Sequence, residues 1–90
     1  MRIEDILKQR GTIYGEYAAQ AYISQRLKAF MHDTPGWHRL APDQADALEM
    51  IAVKISRVLN GDPDYADNWS DMAGYPTLVA VRLAAKEGAP

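Results

Sequence analysis

NGDPDYADNWSDMAGY, residues 60–75, decides how the chain is divided into helices. Its opening, Asn60-Gly61, is a helix stop signal, because glycine adopts the left-handed conformation that closes a helix, and Pro63 strengthens the stop. The acidic residues that follow favour a new helix, since carboxylates stabilise the positive end of a helix dipole. We therefore expect a third helix that ends here and a fourth that begins between residues 64 and 67.

The predicted fourth helix carries its large apolar residues on one face and has a proline inside its pattern. At 100° per residue, that face collects Tyr65, Trp69, Met72, Val79 and Leu83. Pro76 has no amide proton, and a proline ring clashes with the preceding helical turn. We therefore expect the helix to break or kink around Gly74-Tyr75.

Three further helices are predicted upstream. The first ends at residues 10–12, the second runs from near Glu16 to residues 32–36, and the third opens at residues 41–44. Two apolar stripes are expected to form the core, together with Trp37 and Leu40 at one end: Ala19, Ile23, Leu27 and Phe30, and Leu48, Ala52, Ile55 and Leu59. The pattern predicts an all-α fold, a compact helical bundle of about four helices forming a single domain over residues 1–90.

The width of these stripes indicates that the protein does not act as a single copy. Ninety residues bury only about 60–65% of their unfolded surface, so wide apolar faces remain uncovered in a monomer. We therefore expect a homo-oligomer, a dimer or larger.

Composition excludes several classes of function. The net charge of −2 gives no general attraction to nucleic acid or to anionic membranes, and the absence of cysteine excludes disulfides and thiolate metal sites. The spacing of His32 and His38 fits neither a zinc finger nor the HExxH pattern. The chain has no signal peptide pattern and no apolar run of the roughly 20 residues that a membrane span requires. We expect a soluble cytoplasmic protein without a membrane partner and with no direct sign of nucleic-acid binding.

The strongest candidate for chemistry is a pair of carboxylates on the fourth helix. Asp67 and Asp71 lie four residues apart, so they share a helix face and can together coordinate Mg²⁺, which prefers oxygen ligands. Glu16 or Glu49 would complete such a metal site. The alternative is that these acids only cap the helix and face solvent.

Four further side chains are candidates for binding a substrate. Lys54, at the edge of the third helix's apolar stripe, would face a phosphate, with Arg57 one turn further along. Tyr14 precedes Gly15, which indicates either a fixed turn or a close approach to a ligand. Tyr75 lies beside the carboxylate pair on the fourth helix.

Three segments carry a resemblance to a family of small phage and prophage proteins of unknown function. They are Tyr14-Gly15-Glu16-Tyr17, then KISRVLNGDP at residues 54–63, and DNWSDMAGY at residues 67–75. The family shows a YG-acid-aromatic start and a D-x-W-x-D-[IM]-A-G-Y signature, and the likeness runs from residue 10 to about residue 83. Pro76 stands where that family commonly has alanine. The resemblance implies a protein made in a bacterial host.

A weaker resemblance is to the MazG-like all-α nucleoside triphosphate pyrophosphohydrolases. That group holds Mg²⁺ with an E-x-x-E pair on one helix and an E-x-x-D pair on the next. This chain has no E-x-x-E; the first pair could come only from Glu16, Asp46 or Glu49, and the second is Asp67 with Asp71. The resemblance implies Mg²⁺-dependent nucleotide binding or pyrophosphohydrolysis. The alternative is a non-enzymatic phage protein that binds and modulates a host protein or defence system, or a structural part of the virion.

Overall fold

The computed structural model describes residues 2–87, and the structure there is built from four α-helices. They are α1 (Ile3–Tyr14), α2 (Tyr17–His32), α3 (Pro42–Asn60) and α4 (Ala66–Lys86), with a short 3-10 helix, Pro35–Arg39, between α2 and α3. No strand occurs between residues 2 and 87, so the prediction of an all-α bundle of four helices is confirmed. Within the same residues, none of the helices has the length and apolar character needed to cross a membrane.

The central helix of the bundle is α3. It packs against α2 on one side and against α4 on the other, whereas α2 and α4 hardly contact each other and α1 packs more lightly on α2 and α3. The chain therefore forms a layer with overall dimensions of 50 × 31 × 22 Å. Its radius of gyration of 15.8 Å exceeds the value of about 12 Å typical of a 90-residue globular domain.

The first helix is longer than the sequence predicts. It continues through Gly11 to Tyr14, and the amide of Gly15 donates to the carbonyl oxygen of Gly11 to close it. Gly15 adopts a φ of +78° and a ψ of −169°, an extended conformation at positive φ that is open to glycine and almost closed to other residues. The prediction that α1 stops at residues 10–12 is therefore wrong, because a glycine inside a helix costs only about 1 kcal/mol and does not stop it.

The fourth helix runs continuously through Pro76. The predicted break at Gly74-Tyr75 is therefore wrong, since one proline removes a single backbone hydrogen bond. The next residue, Thr77, donates its hydroxyl to the carbonyl oxygen of Ala73 at 2.8 Å. That bond satisfies one carbonyl in the turn that the proline disturbs. The bend that a proline usually imposes stays a prediction.

The buried side chains of the layer are small or polar. Between residues 2 and 87 the buried set is Ala47 and Ala52, together with Gln20, Ser24, Lys54, Ser56 and Asn68. Large side chains of the predicted core stripes are exposed instead: Phe30, Leu48, Leu59 and Trp69. The prediction that these four side chains lie in the core of one chain is wrong, because α2 and α4 hardly contact each other and so do not close a core over α3.

An ion pair ties the end of α4 to the start of α3. The guanidinium of Arg82 donates through Nε and Nη2 to the two carboxylate oxygens of Asp43. The Oδ1 atom of Asp43 also accepts the backbone N–H of Gln44. The hydrogen bonds from Arg82 hold the pKa of Asp43 below its ordinary value of 3.8.

Candidate functional site

A second ion pair between α3 and α4 contains a buried lysine. The Nζ atom of Lys54 lies 2.9 Å from Oδ2 of Asp71. Lys54 is only 7% exposed, because its position on α3 faces α4, whereas the Asp71 side chain is about half exposed at 48%. A buried ammonium is costly unless it is paired, so this contact holds a charge at the boundary between the helix interface and solvent.

One turn before Asp71, the side chain of Asn68 is buried without a complete set of partners. Asn68 is 1% exposed, and its Nδ2 atom has no hydrogen-bond partner among residues 2–87. An unpaired buried donor costs about 1–3 kcal/mol, and native structures keep few of them without a reason. The Nδ2 group of Asn68 is therefore a buried donor for which residues 2–87 supply no acceptor.

Sequence reasoning missed Asn68, although the helical wheel contains the signal that could have found it. Asn68 precedes Met72 by four residues and so lies on the face that the apolar pattern marks as buried. An asparagine on a buried helix face has polar atoms that need hydrogen-bond partners from the protein, from water or from a ligand. The apolar pattern around Asn68 predicts packing only.

A second group of side chains surrounds the ring of Tyr14 at the ends of α1 and α3. The guanidinium carbons of Arg57 and Arg10 lie 4.7 Å and 5.1 Å from the centroid of this ring. The ring of Tyr65 meets the Tyr14 ring edge-on, with the centroids 5.9 Å apart. The Nε atom of Arg57 is buried and has no hydrogen-bond partner among the described residues. Arg57 is thus a half-buried cation with one buried, unpaired donor, about one turn along α3 from Lys54.

The first carboxylate of the predicted pair is held by a tyrosine. The hydroxyl of Tyr65 donates to Oδ2 of Asp67 at 3.2 Å. That hydrogen bond, together with the negative charge of Asp67, raises the pKa of Tyr65 above its ordinary value of 10.0. Tyr65 contacts both Asp67 and the Tyr14 ring, so it joins the predicted carboxylate pair to the side chains around Tyr14.

The position of Tyr14 is fixed by two turns that lock together. The Nδ2 atom of Asn60 donates to the carbonyl oxygens of Tyr14 and Glu16, both at 2.9 Å. A Cβ atom built on Gly15 would lie 2.1 Å from the carbonyl oxygen of Asn60, and one built on Gly61 would lie 2.2 Å from that of Ile13. The two glycines are therefore required, because only a bare Cα allows the α1–α2 turn to touch the α3–α4 turn.

The structure brings some of the predicted site residues together and separates others. Lys54 and Asp71 are in contact, Arg57 is in contact with Tyr14, and Asp67 reaches the Tyr14 ring through Tyr65. The six residues Tyr14, Lys54, Arg57, Asp67, Asn68 and Asp71 are called the Lys54 patch below.

The remaining predicted residues lie around the Lys54 patch or away from it. Tyr75 lines a shallow hollow of about 320 Å³ with Asp71, and Glu16 lines a cavity of about 390 Å³ with Tyr14 between α1 and α2. Glu49 instead lies beside α2, where its Oε1 atom is 3.0 Å from Nε2 of His32.

The four predicted metal ligands do not form one group in the single chain. Asp71 contacts Lys54, Asp67 contacts Tyr65, and Glu49 contacts His32. Across residues 2–87, no three His, Cys, Asp or Glu side chains are placed to hold one metal ion. The Lys54 patch itself therefore offers two carboxylates to a metal ion, those of Asp67 and Asp71.

These features define an all-α protein in which two interlocked turns support a patch of cations, carboxylates and one unpaired amide. Residues 3–83 match the family described as Domain of unknown function (DUF6378), and the chain belongs to that family. No curated protein and no solved structure matched the chain. The resemblances to phage proteins and to pyrophosphohydrolases therefore stay predictions, and function must be argued from the Lys54 patch.

Proposed function

We propose that the chain binds a nucleotide together with Mg²⁺ at the Lys54 patch. The observations that carry this proposal are the buried ammonium of Lys54, which contacts Asp71, and the buried, unpaired amide of Asn68, three residues before Asp71 on α4. Both groups donate hydrogen bonds, and both lie where the surrounding apolar packing strengthens an interaction with an anion. A ligand with several negatively charged acceptor oxygens is the chemistry that fits them.

A phosphate chain supplies these acceptors. Phosphate oxygens accept charge-assisted hydrogen bonds from lysine and arginine, and such bonds are about twice as strong as neutral ones. Arg57 adds a buried Nε donor that also lacks a partner. In the proposed complex, Lys54, Arg57 and Asn68 contact phosphate oxygens, which satisfies both unpaired donors and relieves the cost of burying them.

Magnesium fits the acids of the Lys54 patch. This ion is usually held by one or two protein carboxylates, the phosphates of its nucleotide and several waters, so it does not need a cluster of three protein ligands. Asp67 and Asp71 are exposed enough to act in this way. When bound, Mg²⁺ neutralises phosphate charge and polarises the phosphoanhydride. In the proposed complex, Asp71 turns from Lys54 toward the ion, and the ammonium turns to the phosphate.

The proposal is limited to binding, with pyrophosphohydrolysis as its enzymatic extension. Hydrolysis of the predicted type requires further acids near the phosphates, and Glu16 is the nearer candidate because its backbone is held next to Tyr14. Glu49 would have to reach the ligand from the α2 side of the layer. Incubation with Mg²⁺ and nucleoside triphosphates, followed by assay of released pyrophosphate, tests this extension.

Calorimetric titration with Mg²⁺ and a panel of non-hydrolysable nucleoside triphosphates tests the binding proposal. We expect binding that requires the metal, and a loss of about 10- to 100-fold in affinity for Lys54→Met, because a charged hydrogen bond contributes about 1.5–3 kcal/mol. Asp71→Asn should weaken metal binding, so that Mg²⁺ no longer promotes binding of the nucleotide. Asp33→Asn serves as the control, since it removes an exposed acid at the end of α2 that belongs neither to the Lys54 patch nor to the candidate metal ligands. Absence of binding at millimolar ligand, or equal affinity for wild type and Lys54→Met, would overturn the proposal.

A second candidate function is a non-enzymatic protein that binds and modulates a host protein. The observation that favours it is the exposure of the large aromatic side chains of Tyr17, Tyr22 and Trp69. Exposed aromatic residues anchor many protein interfaces, and an acidic surface attracts basic partners. Capture from a bacterial lysate separates the two: a partner retained by wild type and lost in Tyr22→Ala supports this function, whereas equal retention by both counts against it.

A further inference from the structure

Two adjoining apolar hollows lie along the uncovered side of α3. One, of about 340 Å³, lies against the end of α2 and includes Phe30; the other, of about 280 Å³, lies against α4 and includes Pro76 and Val79. They share Leu40 and Leu48, so they form one continuous surface. None of the residues lining either hollow carries a charge.

The same surface continues along α3. Leu48, Ile51, Ile55 and Leu59 follow one another at steps of three and four residues, which places them on one face of the helix. Leu59, at the far end, is 68% exposed. The open apolar face is the name used below for the two hollows and this stripe, and it spans most of the length of α3.

The accessible surface of the chain is larger than its mass predicts. A folded monomer of 10.0 kDa exposes about 5,200 Å² on average, whereas this chain exposes 6588 Å². The excess of about 1,400 Å² is more than the roughly 800 Å² that each partner contributes to a standard protein interface. The chain as a whole therefore exposes enough extra surface to contribute one side of a standard interface.

We infer that a second copy of this chain covers the open apolar face. An uncharged face can lie against its own two-fold copy without repulsion between like charges, whereas it offers nothing to the charges of a nucleic acid or a polar peptide. Interfaces of obligate homodimers resemble a domain core cut in half. The single chain has this character, because its fully buried residues are small or polar, whereas Phe30, Leu48 and Leu59 of the open apolar face are exposed.

The proposed interface and the Lys54 patch share no residue. Arg57 and Leu59 are two residues apart and so differ by about 200° around α3, which places Arg57 on the side of the helix away from the stripe of the open apolar face. Lys54 is three residues from Ile51 and lies at the edge of that stripe. The dimer is inferred from the apolar residues alone, so it does not rest on the proposed function. Either one can fail in an experiment while the other holds.

Sedimentation velocity of wild type and two matched variants tests the inference. We expect wild type to sediment with twice the mass of 10.0 kDa. Leu59→Glu should weaken association at least about 100-fold, because it places an unpaired carboxylate in the interface. Leu78→Glu is the control: Leu78 is equally exposed at 70%, but it lies about 200° around α4 from Pro76 and should leave the dimer intact.

A milder variant keeps the test decisive where the added charge unfolds the chain. Leu59→Ala removes apolar contact without adding charge and should weaken association about 10-fold, with circular dichroism reporting the retained helix. Monomeric wild type at high micromolar concentration would overturn the inference. Association of Leu59→Glu as tight as that of wild type would also overturn it, since the dimer would then use another face.

Discussion

At the scale of single residues, Lys54 and Asn68 occupy positions that stability alone does not favour. Lys54 places an ammonium in a helix interface, and Asn68 places there an amide with an unpaired donor. Replacing such groups by apolar side chains of similar volume is often neutral or stabilising. Their retention in a small domain is a reason to look for a ligand, because functional sites often carry a cost in stability.

Asn68→Leu tests this trade between stability and binding. We expect it to stabilise the ligand-free protein by about 1 kcal/mol, because it removes an unsatisfied buried donor, and to weaken nucleotide binding. Asn60→Leu is the matched control, because its amide donates to two carbonyl oxygens. That change should destabilise the protein by about 2 kcal/mol. Chemical denaturation measures both, and destabilisation of Asn68→Leu equal to that of Asn60→Leu would contradict the prediction.

At the scale of elements, the contact between the α1–α2 and α3–α4 turns depends on two glycines. Gly15→Ala forces a Cβ atom into the carbonyl oxygen of Asn60 at a φ that alanine rarely adopts. We expect it to destabilise the protein by about 3 kcal/mol or more. Gly11→Ala lies inside α1 with no atom near the new methyl group, and it should stabilise the protein by about 0.5–1 kcal/mol. Thermal unfolding distinguishes the two, and equal effects would contradict the geometry.

The ion pair of Arg82 with Asp43 makes the stability of the protein depend on pH in the acidic range. The pKa of Asp43 is lowered in the folded state, so its contribution is fully present above the ordinary value of 3.8. It is lost as pH falls below that value through the folded-state pKa. We expect Arg82→Met to flatten this part of the pH profile of the free energy of unfolding. Asp46→Asn removes an exposed acid of α3 that is not part of this ion pair, so it should keep the wild-type pH profile. An unchanged profile in Arg82→Met would contradict the prediction.

At the scale of the whole molecule, a dimer makes the unfolding temperature depend on protein concentration. We expect the Tm of wild type to rise by several degrees over a 100-fold increase in concentration, since mass action favours the associated state. Mg²⁺ with a nucleotide should raise it further in wild type and equally in Leu59→Ala, because Leu59 is not one of the residues of the Lys54 patch. A Tm that is constant with concentration would contradict the dimer.

Periodicity predicted the helices well because it reports which side chains avoid water. The stripe that contains Leu48 correctly defined α3, yet it could not say whether the covering surface belongs to the same chain or to another. The end of α1 was mispredicted at Gly11, because a glycine that a helix tolerates and a glycine that ends a helix look alike in sequence. The contact of Lys54 with Asp71 and that of Glu49 with His32 depend on how the helices are placed, which spacing along the chain does not contain.

The hydrogen bonds of Asn60 also bear on how the chain folds. They join residues separated by 46 and 44 positions, so they form only after a long loop has closed, and closing it costs entropy before the bonds repay it. The helices can form from local contacts, whereas the junction of the two turns must wait. We therefore expect the part of the molecule that holds Tyr14 and Glu16 in place to form late during folding and to be among the first to exchange its amide protons when the native state opens.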